Sequence, residues 1–219
     1  MKLKRDSVEG EMEELKKGLD HLCIEYNDHI LEKFKRYVKI LYEYKNKIHL
    51  LSHQDYNRIS KRHFLISLMA LPYIKGHNNA CDIGVGAGFP SIPLKILRPE
   101  ISFTLFESKQ KKAEFLKYLT GELNLSKIQI INDRAENYTS GKFDLILIKA
   151  AGKIRKLIKV IDYLILQTGK AVFYKSIQVE DEIRIAEKEI KKRGFQVQVI
   201  KLSTPIENLP LTLVMLKRT

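Results

Sequence analysis

Residues 81–90 read CDIGVGAGFP: one acidic residue, Asp82, then glycines at alternate positions, Gly84, Gly86 and Gly88. A strand-like run over 79–83 leads into this stretch, and a short helical run over 91–97, closed by Arg98-Pro99, leads out of it. Glycine tolerates positive φ and carries no Cβ, so such a chain turns sharply and brings its backbone N–H groups against a ligand. Strand, glycine turn and helix in succession form the opening unit of a doubly wound α/β sheet.

Downstream the alternation continues. A second strand over 101–106 (ISFTLF) is followed by Glu107 and a basic helix over 108–121. Strands follow over 127–131 and 143–148. The latter, FDLILI, is nearly all apolar, as a strand covered on both faces must be. A helix over 153–166, a strand over 171–174 and a charged helix over 179–193 come next. Residues 195–202 and 211–217 then read as two strands with no helix between them, so they pair antiparallel as a hairpin at one edge of an otherwise parallel sheet. The predicted fold class is α/β: a doubly wound, seven-stranded, Rossmann-like sheet with a terminal antiparallel hairpin, preceded by N-terminal helices.

Upstream the pattern is helical. Val8, Met12, Leu15, Leu19 and Leu22 recur at three and four residues, which predicts a thin amphipathic helix from Val8 to about His21. Asn27 offers an N-cap to a second helix through Lys45. A third helix, over 54–71, carries Arg58, Lys61, Arg62 and His63 and ends at Leu71-Pro72, because the residue before proline resists the α conformation. The run PYIKGHNN gathers proline, glycine and asparagine and divides the chain into a helical extension, 1–75, and a sheet domain, 76–219.

Among 219 residues, 39 Lys and Arg stand against 26 Asp and Glu, a net charge of +13. That surplus costs self-repulsion and serves no folding need, so it points to an anionic partner such as nucleic acid. No apolar run approaches the ~20 residues of a membrane-spanning helix, and the start, MKLKRDSVEGEMEELKK, has no apolar core of a signal peptide. A cytoplasmic, monomeric protein with no membrane partner is expected, its Cys23 and Cys81 free and packed. His49 and His53 have helical i,i+4 spacing but no accompanying ligands, so no metal site is expected.

In a doubly wound sheet the ligand lies beyond the carboxyl ends of the strands, where strand order reverses. Residues 82–89 follow the first strand, Glu107 the second, and Asp133-Arg134-Ala135-Glu136 the third, so three strand ends face one crevice. Glu107 stands 23 positions after Gly84, close to the spacing at which one carboxylate accepts from both hydroxyls of a ribose. An adenosine-bearing cofactor fits this pattern. The dinucleotide fingerprint G-x-G-x-x-G matches poorly, and no Gly-Lys-Ser or Gly-Lys-Thr follows to make a Walker loop. The Asp-x-Gly-x-Gly-x-Gly turn, the acid after the second strand and the closing hairpin together resemble class I methyltransferases, whose cofactor is S-adenosyl-L-methionine.

Within that class, DIGVGAGFPSIPLKILRPEISFTLFES, the later NDRAEN and the upstream YKNKIHLLS and RHFLISL are similar to the small-subunit (16S) ribosomal RNA guanine-N7 methyltransferases, the glucose-inhibited division protein B family. The likeness runs from about Leu41 to the end of the chain, and Gly-Phe-Pro-x-Ile-Pro-Leu is its most specific part. It implies cofactor contacts at Gly84, Phe89, Ala135, Glu136 and Lys149, beside Asp82, Gly86, Gly88 and Glu107 of the crevice. Methyl transfer to N7 needs no general base, since N7 carries a lone pair and no proton. No catalytic residue is therefore assigned; proximity and orientation carry the rate, with Lys149 the side chain placed to assist. The chain departs from the family pattern at three places. It has His49-Leu50-Leu51 for Asn-Leu-Thr, an Arg62–Ser67 run with Ile66 in place of Asp, and Ile148-Lys149-Ala150 for Ser-Arg-Ala. Lysine for arginine keeps the charge and loses the planar fork.

Guanine N7 lies in the deep, narrow groove of A-form RNA, so the target base must be in a loop or turned out of the helix. Lys109, Lys111, Lys112 and Lys117 after the second strand, Lys153, Arg155, Lys156 and Lys159 after the fourth, and Arg58, Lys61 and Arg62 upstream are the candidate RNA contacts. The partner implied is ribosomal RNA or a small-subunit assembly particle. Two alternatives stay open on the residues alone. A small-molecule methyltransferase leaves the charge idle, and a catalytically weak RNA-binding protein that keeps the cofactor fold is suggested by the departures.

Overall fold

The computed structural model describes residues 7–175, 179–202 and 211–218. Helix α1 (Val8–His21) starts at Ser7, whose hydroxyl accepts the Gly10 N–H, and α2 (Asp28–Tyr44) starts at the predicted cap, Asn27, whose Oδ1 accepts the Ile30 N–H at 3.0 Å. Each cap satisfies a donor that the first helical turn leaves open.

The third predicted helix is broken into pieces. A 3₁₀ turn, Asp55–Asn57, precedes a π-helical segment, Ser60–Leu65, which runs into the short helices α3 (Ile66–Leu68) and α4 (Leu71–Ile74). The cause lies outside the segment. The buried Glu11 carboxylate of α1 accepts the Ile59 and Ser60 N–H groups at 3.2 and 2.6 Å, and so starts a new helical segment there. Pro72 does not end the helix as predicted; it occupies the first turn of α4, where a missing N–H costs nothing.

The sheet follows: β1 (Asn79–Ile83), α5 (Ser91–Leu97), β2 (Ser102–Phe106), α6 (Gln110–Glu122), β3 (Ile128–Ile131), a 3₁₀ turn Ala135–Asn137, β4 (Phe143–Lys149), α7 (Ile154–Leu164), β5 (Ile165–Lys175), α8 (Glu180–Lys192), β6 (Phe195–Leu202) and β7 (Leu211–Arg218). The strands lie in the order β3-β2-β1-β4-β5-β7-β6, parallel throughout except that β7 runs antiparallel to both β5 and β6. This is the α/β doubly wound sheet with its antiparallel hairpin. Strand β5 is longer than the expected 171–174, and α7 stops earlier, at Leu164. Ile165 already pairs with Phe143, and the register shifts before Lys170 pairs with Leu145. The irregularity hides the start of the strand behind Gln167-Thr168-Gly169.

Strand side chains alternate between two cores. Ala80, Phe103, Leu105, Leu145, Leu147, Val172 and Met215 face a layer of α5 and α6, on which α2 and α3 pack, while α1 packs on α2 and the π-helical segment; all form one continuous apolar cluster. Cys81, Ile83, Ile146, Ile148, Phe173 and Val214 face α7 and α8 on the other side. Cys81 is buried as expected, whereas Cys23, just beyond α1, is exposed and not packed.

Candidate functional site

β1 lies between β2 and β4, so successive connections leave it in opposite directions and open a crevice at the strand carboxyl ends. The loop after β1 enters it with Gly84, Gly86 and Gly88 at φ +74, +62 and +106. Two of these glycines are needed for different reasons. A Cβ on Gly88 would fall on the Tyr37 hydroxyl, while one on Gly86 would meet nothing nearer than the Gly84 carbonyl, at 4.0 Å. Gly88 thus serves packing from behind, and Gly86 leaves the front of the loop open. Tyr37 of α2, wholly buried, donates to the Ala87 carbonyl at 2.7 Å and fixes the loop from the helical side.

Glu107, at the end of β2, clamps the same loop. Its Oε2 accepts the Gly86 N–H at 3.0 Å and its Oε1 the Lys109 N–H at 2.9 Å, while its carbonyl accepts from Asn132 Nδ2 at 2.9 Å. Each carboxylate oxygen has a second lone pair, so a fixed two-oxygen acceptor stands at the lip of the turn. Beside it, after β3, Ala135 is buried at the start of its 3₁₀ turn and Glu136 is exposed. Asp133 Oδ1 steadies the turn by accepting from the Arg134 N–H and Asn137 Nδ2 at 2.7 and 2.9 Å.

Asp82 is fully buried; its Oδ2 accepts the Ser91 N–H at 3.3 Å and its Oδ1 has no partner. Burial pushes its carboxyl up to about 7, although the polar side chain and N–H of Ser91 and the Lys149 charge oppose the shift. An unsatisfied buried acceptor is costly in isolation and fits a ligand that brings donors. Lys149 closes β4, and burial brings its ammonium down to about 8 against the pull of Asp82. Its Nζ lies 5.2 Å from the centre of the Phe89 ring and 3.1 Å from His63 Nδ1.

Phe89 is buried and nearly parallel to two rings, His63 at 4.6 Å and 17° and Tyr37 at 5.6 Å and 19°. Burial, reinforced by the Lys149 charge, holds His63 far below its ordinary value, so the ring is neutral. Its Nε2 is buried without a hydrogen bond, 3.9 Å from Asp55 Oδ2. Asp55 accepts from the Ser52 hydroxyl at 2.6 Å and from Arg62 at 2.9 Å; against the pull of partial burial, these contacts and the Arg62 charge hold its carboxyl below its usual range.

The structure therefore brings Asp82, Gly84, Gly86, Gly88, Phe89, Glu107, Ala135 and Lys149 to the carboxyl ends of four neighbouring strands, with Glu136 at the rim. Clamped carboxylate, open glycine turn, orphaned buried acceptor and neighbouring cation together fit a cofactor carrying a ribose and an amino acid. Of the basic residues, Arg58, Lys109, Lys111, Lys153, Arg155 and Lys156 are exposed and Lys112 is half-buried. Lys61 and Arg62 are instead engaged within the fold, by Glu14 at 2.5 Å and Asp55 at 2.9 Å. Tyr37 and the Asp55–His63 pair escape sequence reasoning: Tyr37 sits in an apolar helical stripe, where nothing marks its hydroxyl. Among the described residues no three His, Cys, Asp or Glu gather as a metal site, and no helix is long and apolar enough to cross a membrane.

Comparison with known proteins agrees with this geometry. The family model described as GidB, rRNA small subunit methyltransferase G, matches residues 30–209. A protein of Dehalococcoides mccartyi named ribosomal RNA small subunit methyltransferase G is 36% identical over 201 residues, covering 89% of this chain and 86% of its own. One of the same name from Staphylococcus epidermidis is 34% identical over 193 residues, covering 85% and 81%. In fold, a methyltransferase of Pyrococcus furiosus superposes with a TM-score of 0.57 over 84% of this chain and 97% of its own, at 17% identity.

Proposed function

The chain belongs to the rRNA small subunit methyltransferase G family, and on that premise we propose that it transfers the methyl group of S-adenosyl-L-methionine to N7 of a guanine in small-subunit ribosomal RNA. One observation carries the reading: at the switch point of the sheet, an open glycine turn is clamped between Glu107 and Tyr37. When bound, S-adenosyl-L-methionine supplies a methyl group activated by its sulfonium. Glu107 is the acceptor for the ribose hydroxyls, and Asp82, Gly84, Gly86, Gly88, Phe89, Ala135, Glu136 and Lys149 form the rest of the cofactor site. Because guanine N7 has a free lone pair, the protein's task is to hold base and methyl donor in line and to keep water out. Such orientation is worth roughly 7–11 kcal/mol at best, and no side chain has to take a proton.

On the RNA side, exposed Arg58, Lys109, Lys111, Lys153, Arg155 and Lys156, with Lys112, are the phosphate contacts. Lys61 and Arg62 join them only by exchanging Glu14 and Asp55 for phosphate. Residues 1–75 are the N-terminal helical extension, whose Tyr37 holds the glycine loop, and residues 76–219 are the methyltransferase domain. The protein acts as a monomer in the cytoplasm, on ribosomal RNA or on a small-subunit assembly particle. A small-molecule substrate would leave the net charge of +13 without use.

The test is methyl transfer from labelled S-adenosyl-L-methionine to naked, partly assembled and mature small subunits, with mass-spectrometric mapping of 7-methylguanosine. Label at N7 of one guanine is expected. A preparation that binds the cofactor and labels none of the three substrates overturns the reading.

A further inference from the structure

We infer that His63 is a positioning residue for methyl transfer, which fixes the Lys149 ammonium and the Phe89 ring from the helical side of the molecule. The inference rests on the reading of Lys149 and Phe89 as cofactor contacts.

Three features of His63 converge on this role. The first is the contact with Lys149: an ammonium only donates, so at 3.1 Å the Nδ1 lone pair of His63 must accept, which puts the imidazole proton on Nε2. The second is the ring face, nearly parallel to Phe89 at 4.6 Å. The third is what the ring gives up, since its Nε2 is buried with no hydrogen-bond partner. A residue kept only to fill space would do better as a phenyl group, which has no polar atom to strand. The imidazole is retained at a cost, and its lone pair is the one feature a phenyl lacks.

Lys149 is where such help is needed. It is a point charge on a flexible four-carbon stem, without the rigid fork that would orient an arginine at the same place. An acceptor that comes from a different element, at fixed distance, supplies the missing direction. That element is itself held rigidly: the π-helical segment carrying His63 begins where the Glu11 carboxylate takes the Ile59 and Ser60 N–H groups. Asp55, Arg62, Lys149 and Phe89 surround the ring. The helices before the sheet thereby reach Lys149 through this side chain, as they reach the glycine loop through Tyr37.

A double-mutant cycle on positions 63 and 149 tests this, reading S-adenosylhomocysteine affinity by calorimetry and kcat and KM on small subunits. His63→Phe keeps an aromatic ring against Phe89 and removes the lone pair; His63→Gln returns an acceptor without the imidazole. Relative to the parent, His63→Phe and Lys149→Met should each weaken cofactor binding or lower kcat about tenfold. The double variant should be no worse than Lys149→Met, and His63→Gln should recover part of the loss. Additive losses in the double variant, or a His63→Phe protein equal to the parent while Lys149→Met is impaired, overturn the inference alone. A Lys149→Met protein with unchanged affinity and rate overturns the cofactor reading of Lys149, and the inference falls with it. Melting temperatures separate these results from misfolding; should His63→Phe not fold, the same cycle run with His63→Gln and His63→Ala decides.

Discussion

Asp82, fully buried, and Lys149, half-buried, are charges of opposite sign at the ends of adjacent strands, and each carries a cost that the other only partly relieves. For Asp82 the folded carboxyl titrates at about 7 against 3.8 ordinarily. The folded state therefore holds a proton that the unfolded chain has lost in this window, and stability falls as pH rises from about 3.8 to about 7. Lys149 has the opposite slope, since its folded value of about 8 lies below the ordinary 10.5. Across that higher window the unfolded chain binds the extra proton, so stability rises with pH. Asp82→Asn removes the first slope. Its stability relative to the parent should improve between pH 5 and 7.5, by ~2.5 kcal/mol at most, while its affinity for S-adenosylhomocysteine falls. Urea unfolding of both proteins across this range checks it; parallel profiles would mean that Asp82 does not ionise there. A site that is less stable with its native carboxylate than without it is one kept for a ligand.

At the scale of elements, Glu11 decides the form of the segment that carries His63. Glu11→Ala strands two buried N–H groups, of Ile59 and Ser60, and each unsatisfied group costs about 1–3 kcal/mol. A melting temperature lower by several degrees is expected, together with weaker cofactor binding, because the segment holds Lys149 through His63. Glu11→Gln should be milder, as its amide oxygen still accepts one bond. A protein that melts earlier and binds S-adenosylhomocysteine normally would separate the segment from the site. The same element marks the limit of what a sequence reveals. Every strand was legible from its apolar run, and the glycine turn with Glu107 from its spacing, because these are local patterns. The π-helical segment was not, since its form depends on a carboxylate some fifty residues upstream. The early start of β5 was hidden by a register shift against β4. Tyr37, His63 and Asp55 become part of the site only through packing, and no local periodicity marks a hydroxyl or an imidazole that will meet a loop from another layer.

For the whole molecule, the net charge of +13 becomes interpretable once the helices are placed. α6 and α7 leave the strand carboxyl ends with no acidic residue in their first turns; Lys111 and Lys112 open one, Arg155 and Lys156 the other. Cations at a helix N-terminus oppose the helix dipole. α8 shows the ordinary choice, with Glu180, Asp181 and Glu182 in its first turn. The two basic helix starts flank the crevice and accept that penalty, which phosphate would relieve by binding both the lysines and the positive helix end. Lys117 and Lys159 lie further along the same helices and should matter less. Reversing Lys153, Arg155 and Lys156 to glutamate should lower affinity for small-subunit RNA. It should also flatten the plot of log K against log salt by roughly 0.7–0.9 for each phosphate that the protein no longer neutralises, with S-adenosylhomocysteine affinity unchanged. Reversing Lys188, Lys191 and Lys192, at the far end of α8, makes the same change of charge away from the strand carboxyl ends and should leave the slope nearly as it was. Equal effects from both sets would mean that RNA responds to net charge alone, and that the basic helix starts do not orient it over the glycine turn.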